Sequence, residues 1–311
     1  MMIVKVRNLV KRYKELIALD HFNMEVEEGE ILGLLGPNGC GKTTAINCIL
    51  SLLNYDKGEI ELFGERMTPN SYRLKRQIGM VPQEVSVFEN LTVMENIDYF
   101  CGLYIDDKKL RQQYVKEAIE FVGLRDYIKF YPKKLSGGLR RRLNIACGIA
   151  HKPKLIFLDE PTVAVDAQSR NFILDGIKRL NQEGSTIIYT THYLEEAEML
   201  CKRIIIMDRG KNLVSGTNEE LKAMITTTEK IVVGFLAIAN EKAEEIKKIP
   251  HVIDIEKRED DYIIKFENGL NNLSNLLEFI KENNLTYTKL YSQLPTLNDV
   301  FLELTGKELR D

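Results

Sequence analysis

Several absences narrow the class of this chain before any motif is read. Across 311 residues no apolar run approaches the roughly 20 needed to cross a bilayer, so any membrane role must be borrowed from a partner. The opening stretch, Ile3 to Leu9, alternates as a strand does and is not read as a signal peptide. Charge of one sign is also missing. The 43 Lys and Arg are interspersed with 46 Asp and Glu for a net charge of -3, with no basic stripe, and no nucleic-acid partner is expected. The five cysteines, Cys40, Cys48, Cys101, Cys147 and Cys201, form no C-x-x-C pair and leave one necessarily unpaired. That pattern fits reduced thiols in a cytosolic compartment rather than a disulfide scaffold. Neither an internal repeat nor a low-complexity tract is visible.

What is present reads as a globular protein, 44% hydrophobic, with room for two domains. The first two-thirds alternate strands with helices. Within them residues 91–150 read as a helical insert: Thr92 and Glu95 form a capping box, and Leu110, Tyr114, Ala118 and Phe121 recur at helical spacing. A Thr-rich segment, Thr226-Thr227-Thr228, reads as a linker and puts a boundary near residue 225, giving domains 1–225 and 226–311. Beyond it the pattern predicts strand (230–238), helix (241–249), strand (252–257), strand (262–267), helix (273–282) and strand (286–292). That β-α-β-β-α-β order is ferredoxin-like. A last helix opens after Pro295, with Leu297, Val300, Phe301 and Leu304 on one face.

The chemistry concentrates in the first part. Gly36-Pro37-Asn38-Gly39-Cys40-Gly41-Lys42-Thr43 fits G-x-x-x-x-G-K-[ST] and lies between an apolar strand run, Ile31 to Leu35, and an apolar helical segment. Glycines let successive backbone N–H groups turn toward one anion, and the helix start adds free donors and the positive end of its dipole. Lys42 is expected to reach the β- and γ-phosphates of a nucleoside triphosphate, Thr43 the metal, with Thr44 beside it in the nucleotide site. Cys40, inside the loop, is expected to be shielded from thiol reagents by bound nucleotide.

Leu155-Ile156-Phe157-Leu158-Asp159-Glu160 is a strand run ending in two carboxylates, and the carboxyl edge of an α/β sheet is where ligands bind. Asp159 is placed at Mg2+, and Glu160 at the water attacking the γ-phosphate. Alone, two acids before Pro161 would more simply be a strand end; behind a phosphate loop the functional reading is the stronger. Ser136-Gly137-Gly138 opens a helix as N-cap and exposed first amides, a second anion cradle that the first loop does not obviously need. His192 follows the strand 186–190 and could reach the γ-phosphate, although a lone His is more often structural. Gln83, after Val81-Pro82, could contact metal or water, and the Tyr13 ring could stack on adenine; an exposed glutamine and a packed tyrosine are the ordinary alternatives.

Together these residues resemble the ATP-binding subunit of an ABC transporter. The resemblance covers residues 1 to about 220: the phosphate loop, a glutamine loop at Gln83, the signature Leu135–Leu139, the acidic strand 155–160, a D-loop ending at Asp166, and His192 as switch histidine. It departs in two places, with Leu139 where glutamine is usual and Val163-Ala164-Val165-Asp166 as the D-loop. The tail, Leu294 to Gly306, and the run Arg140-Arg141-Arg142 are similar to the drug-resistance-like export branch. The resemblance implies a P-loop NTPase core of α/β class, with ATP and Mg2+ as ligands. It implies head-to-tail pairing in which Ser136 and Gly138 of one subunit close over ATP held by Lys42 of the other, and it counts Gly137 and Asp166 among the nucleotide-binding residues. It also implies a separate multi-span permease as partner and a place on the inner face of the cell membrane. A soluble ABC-type ATPase acting in translation or DNA repair is the alternative. Such proteins usually carry paired modules, coiled coils or zinc clusters, none of which this sequence shows.

Overall fold

Ile31–Leu35 and Leu155–Asp159 are buried at every position, the pattern of parallel strands covered on both faces. They lie in a six-stranded sheet whose order is Lys211–Gly216, Arg203–Asp208, Ile31–Leu35, Thr186–Thr191, Leu155–Asp159, Ile78–Val81. Every pairing from Arg203–Asp208 to Ile78–Val81 is parallel. The register sets Leu35 beside Thr191, Asp159 beside Thr190 and Val81 beside Leu158, so the residues that follow these strands emerge along one edge. This is a computed structural model that describes residues 1–267, 269 and 271–306.

A second sheet, of four antiparallel strands ordered Leu16–Glu27, Met2–Tyr13, Lys57–Leu62 and Glu65–Arg66, closes the core from the other side. Val4, Leu9, Ile60 and Leu62 from this sheet meet Leu32, Leu34, Phe157 and Ile205 from the parallel one, with Ala45 and Ile46 of the helix Lys42–Ile49 in the same cluster. Residues 91–150 are helical as expected, with helices Val93–Gly102, Lys108–Phe121 and Gly137–Ile149. Thr92 and Glu95 make the reciprocal capping box that their spacing predicts.

The chain divides into two compact units, Met1–Ser215 and one that starts at Gly216, ahead of the expected 225. The difference has a local cause. Thr217 caps a short helix, Asn218–Lys222, whose Leu221 is buried and which packs on the last helix, Leu297–Thr305, within the second unit. The Thr-rich segment is tied down rather than free: Thr226 N donates to Glu303 Oε1 at 2.9 Å, Thr228 N to Phe266 O at 2.9 Å, and Thr227 is buried.

The second unit is ferredoxin-like. Strands Glu229–Phe235, Val252–Arg258, Asp261–Phe266 and Tyr287–Gln293 pair antiparallel in the spatial order second, third, first, fourth. Ile231, Val233, Ile264 and Phe266 form one apolar cluster with Leu276 and Ile280 of the helix Asn272–Glu282. Leu297, Val300 and Phe301 bury the face predicted for the last helix, while Leu304 stays 41% exposed.

Candidate nucleotide-binding site

Five strands of the parallel sheet deliver the site, each through the residue that follows it. Gly36 comes after Leu35, Glu160 after Asp159, His192 after Thr191, Pro82 and Gln83 after Val81, and Arg209 after Asp208. The loop from Gly36 turns into the helix Lys42–Ile49 through Gly41, whose φ of +113° and contact with Ala18 O leave no place for a Cβ.

Lys42 is buried with its Nζ 2.7 Å from Gly36 O, 3.2 Å from Pro37 O and 3.0 Å from Glu160 Oε1. Thr43 Oγ1 donates to Asp159 Oδ2 at 2.8 Å, and Thr190 Oγ1 donates to Asp159 Oδ1 at 2.6 Å. The Glu160 backbone sits at φ +45°, an uncommon conformation for a residue with a side chain. Its amide donates to Thr190 Oγ1 at 3.0 Å, so one threonine fixes both acids. Gln83 Nε2 donates to Glu160 Oε2 at 3.1 Å, and His192 Nδ1 lies 3.2 Å from the same oxygen but outside hydrogen-bond alignment. The segments on either side are pinned by Glu196. This fully buried carboxylate accepts from Thr162 Oγ1 at 2.9 Å, Thr191 Oγ1 at 3.0 Å and Tyr189 OH at 2.5 Å. Burial and the Glu196 charge push the Tyr189 phenol well above its ordinary range.

A cleft of about 580 Å³ opens over these groups, lined by Tyr13, Asn38, Gly39, Gly41, Lys42, Thr43, Thr44, Gln83 and Glu160. Asp159 and His192 stand behind it through Thr43 and Glu160. Tyr13 is half-exposed at its side, with Lys11 Nζ 5.0 Å from its ring centroid. Cys40 departs from expectation. Its Sγ packs beneath Gly36 in the core, burial pushes the thiol pKa up, and only its backbone serves the loop, accepting from Gly210 N at 2.8 Å. The thiol is therefore covered by protein, whatever the loop holds.

Ser136, Gly137, Gly138 and Asp166 do not line the cleft. Ser136 and Gly137 are exposed, Ser136 Oγ caps the helix Gly137–Ile149 by accepting from Leu139 N at 3.3 Å, and Gly138 packs against Ser169 and Asp166. Asp166 caps the helix Ala167–Gln182 by accepting from Ser169 N at 2.9 Å, and that hydrogen bond holds its carboxyl below the ordinary range. The exposed helix start at Ser136 thus lies apart from the cleft that Lys42 lines.

Sequence reasoning missed Thr190, Glu196, Arg209, Gly210 and the Ile17–Ala18 wall of the cleft. Arg209 had a readable signal, since it follows the apolar strand run Ile204-Ile205-Ile206-Met207 to the same sheet edge. Thr190 had none, because its role depends on the neighbouring strand.

A glycine-turned loop at a helix start, a lysine within it and paired carboxylates on the adjacent strand edge define a P-loop nucleoside triphosphatase. A family model described as "ABC transporter" matches residues 19–163, and one described as "ATP-binding protein DrrA1-3-like, C-terminal domain" matches residues 216–305. The chain is 35% identical to the linearmycin resistance ATP-binding protein LnrL of Bacillus subtilis (strain 168), over 99% of this chain and 100% of that one. It is 32% identical to the daunorubicin resistance ATP-binding protein DrrA3 of Streptomyces coeruleorubidus, over 96% and 95% of the two chains. Among solved structures it is similar to the ATP-binding cassette MJ0796, a dimer bound to ADP and Pi. The TM-score is 0.64 and the identity 28%, over 69% of this chain and 98% of that one. The chain belongs to the ABC transporter ATP-binding family and is an ATP-binding ATPase.

Proposed function

We propose that this chain is the ATP-hydrolysing subunit of an exporter, working as a head-to-tail pair beneath a separate membrane permease on the inner face of the cell membrane. The observation that carries the reading is the split of anion-facing groups. The cleft holds Lys42, Thr43, Gln83 and Glu160, while the exposed start of the helix at Ser136 lies outside it. One triphosphate uses one cradle, so the second serves a neighbour. Relatives with whole-length matches are named for linearmycin resistance, daunorubicin resistance and Nod factor export, which supports export as the work. No helix among the described residues is long and apolar enough to cross a membrane, so the passage belongs to a partner.

In this reading the loop amides of Gly36 to Thr44 and the Lys42 ammonium hold the β- and γ-phosphates, and Tyr13 stacks on adenine. The hard oxygens of Thr43, Asp159 and Gln83 fit Mg2+, which prefers carboxylate and hydroxyl oxygen together with substrate phosphates. Mg2+, when bound, neutralises charge on the β- and γ-oxygens. Glu160 accepts the proton of the attacking water as the bond from the γ-phosphorus to ADP breaks, releasing ADP and phosphate. His192 steadies Glu160 and the γ-phosphate, and Ser136, Gly137, Gly138 and Asp166 of the second subunit close the site.

Glu160→Gln keeps the hydrogen-bonding shape but loses the base. Turnover is expected to fall at least about a hundredfold, with ATP binding retained and an ATP-stabilised dimer seen by size-exclusion chromatography. Wild-type turnover in this variant, or a monomer with ATP bound, would sink the reading.

A further inference from the structure

The run Arg140-Arg141-Arg142 at the start of the helix Gly137–Ile149 grips three different parts of the first unit. Arg140 pairs with Glu89, and Arg142 stacks its guanidinium 4.1 Å over the Phe172 ring, on the helix that Asp166 caps. Arg141 turns inward and is 95% buried, being 5% exposed. Its Nη1 donates to Pro82 O at 3.1 Å and its Nη2 to Gln83 O at 2.6 Å, so a planar fork holds two consecutive carbonyls of the glutamine loop. Three residues on, along the same helix face, Asn144 Nδ2 donates to Pro82 O at 3.2 Å and its Oδ1 accepts from Ser86 N at 3.0 Å. The backbone from Pro82 to Ser86 is thereby fixed to the helix that begins at Ser136. The Gln83 side chain leaves this clamped backbone to reach Glu160 Oε2.

We propose that Arg141, supported by Asn144, is the positioning residue that couples the Ser136 cradle of a chain to that chain's own ATP site. A small rotation of the helix as Ser136 engages a phosphate on the neighbouring subunit carries the Pro82–Gln83 carbonyls with it. It therefore moves Gln83 relative to Glu160. Hydrolysis at one site then depends on occupancy of the other. The proposal rests on the shared-site reading above, and it assigns the coupling to a backbone clamp rather than to a residue touching ATP. A lysine at 141 keeps the charge but cannot offer two coplanar donors to two carbonyls.

The test uses the full chain carrying Arg141→Lys or, separately, Asn144→Asp, which removes the donor to Pro82 O. ATPase rate is measured against ATP concentration, and the Kd for a fluorescent ATP analogue is measured alongside. Wild-type turnover is expected to be cooperative, with a Hill coefficient above one. Both variants are expected to keep Kd within about twofold, lose about tenfold in kcat and fall to a Hill coefficient near one. Wild-type kcat and cooperativity in the variants would overturn the clamp. So would non-cooperative wild-type turnover, or a rate loss matched by an equal loss of nucleotide-binding protein, since either marks a merely structural role. If Arg141→Lys fails to fold, Asn144→Asp decides by the same readouts. Glu160→Gln in parallel separates the two ideas. An ATP-trapped dimer there, with clamp variants behaving as wild type, removes only the coupling; no trapped dimer removes the shared site itself.

Discussion

At Cys40 the side chain and the backbone serve different ends. The sulfur fills the space beneath Gly36, whose missing Cβ would collide with Met207 O and that sulfur, while the backbone completes the turn. A thiolate is the reactive form, and a pKa raised by burial lowers its fraction at any given pH. Iodoacetamide at pH 8 should therefore label Cys40 at least about tenfold more slowly in the folded chain than in urea, with or without MgATP. Peptide mapping by mass spectrometry reads this directly; rapid labelling of the folded chain would mean the loop is not packed as described. The same contrast explains what was legible residue by residue. The glycine spacing, Lys42 and Thr43 are a local code, and the acid pair ends its own strand. Thr190 and Glu196 act across strands and helices, so nothing in their own neighbourhoods announces them.

Among elements, helix ends carried the clearest signals. Thr92 with Glu95 and Ser136 at its cap are readable in the sequence, and Thr217 with Glu220 has the same form beside a more conspicuous threonine run. Polar composition looks like a linker because it lacks apolar periodicity, yet the amides of Thr226 and Thr228 are held by Glu303 and Phe266, residues far along the chain. The last helix offers a pH test. Burial raises the Asp299 pKa, but the Lys230 ammonium at 2.8 Å and the Thr296 amide and hydroxyl outweigh it and hold the carboxyl below its ordinary range. A depressed pKa contributes stability that is complete above the unfolded value, about 3.9, and is lost as pH falls through the lower folded one. Asp299→Asn should cost about 1–2 kcal/mol at pH 7, and unfolding should become less acid-sensitive below about pH 4. Urea titrations followed by circular dichroism at pH 7 and pH 3.5 would show it, and an unchanged pH dependence would contradict it.

For the molecule as a whole, the alternation of strands and helices made the core class readable, and the β-α-β-β-α-β order of the tail reappears in its antiparallel sheet. The edge at which five strands converge was only partly readable, because parallel neighbours are far apart in sequence. The exposed Gly137 has open space around it, its nearest neighbour being Ala164 O at 3.8 Å from a built Cβ. Gly137→Asp should therefore fold, and even suit the helix start, yet repel a phosphate. Lys42→Ala disables the other half. Each variant alone should be inactive, but in a mixed pair one site inherits both lesions and the other inherits neither. Equal amounts unfolded, mixed and refolded together should regain activity that neither has alone, below the roughly one quarter of the wild-type ATPase rate that random pairing of a two-fold dimer would give with independent sites, because the intact site faces an empty neighbour. Two dead proteins would then make a live one, a genetic complementation written into the distance between Ser136 and the cleft.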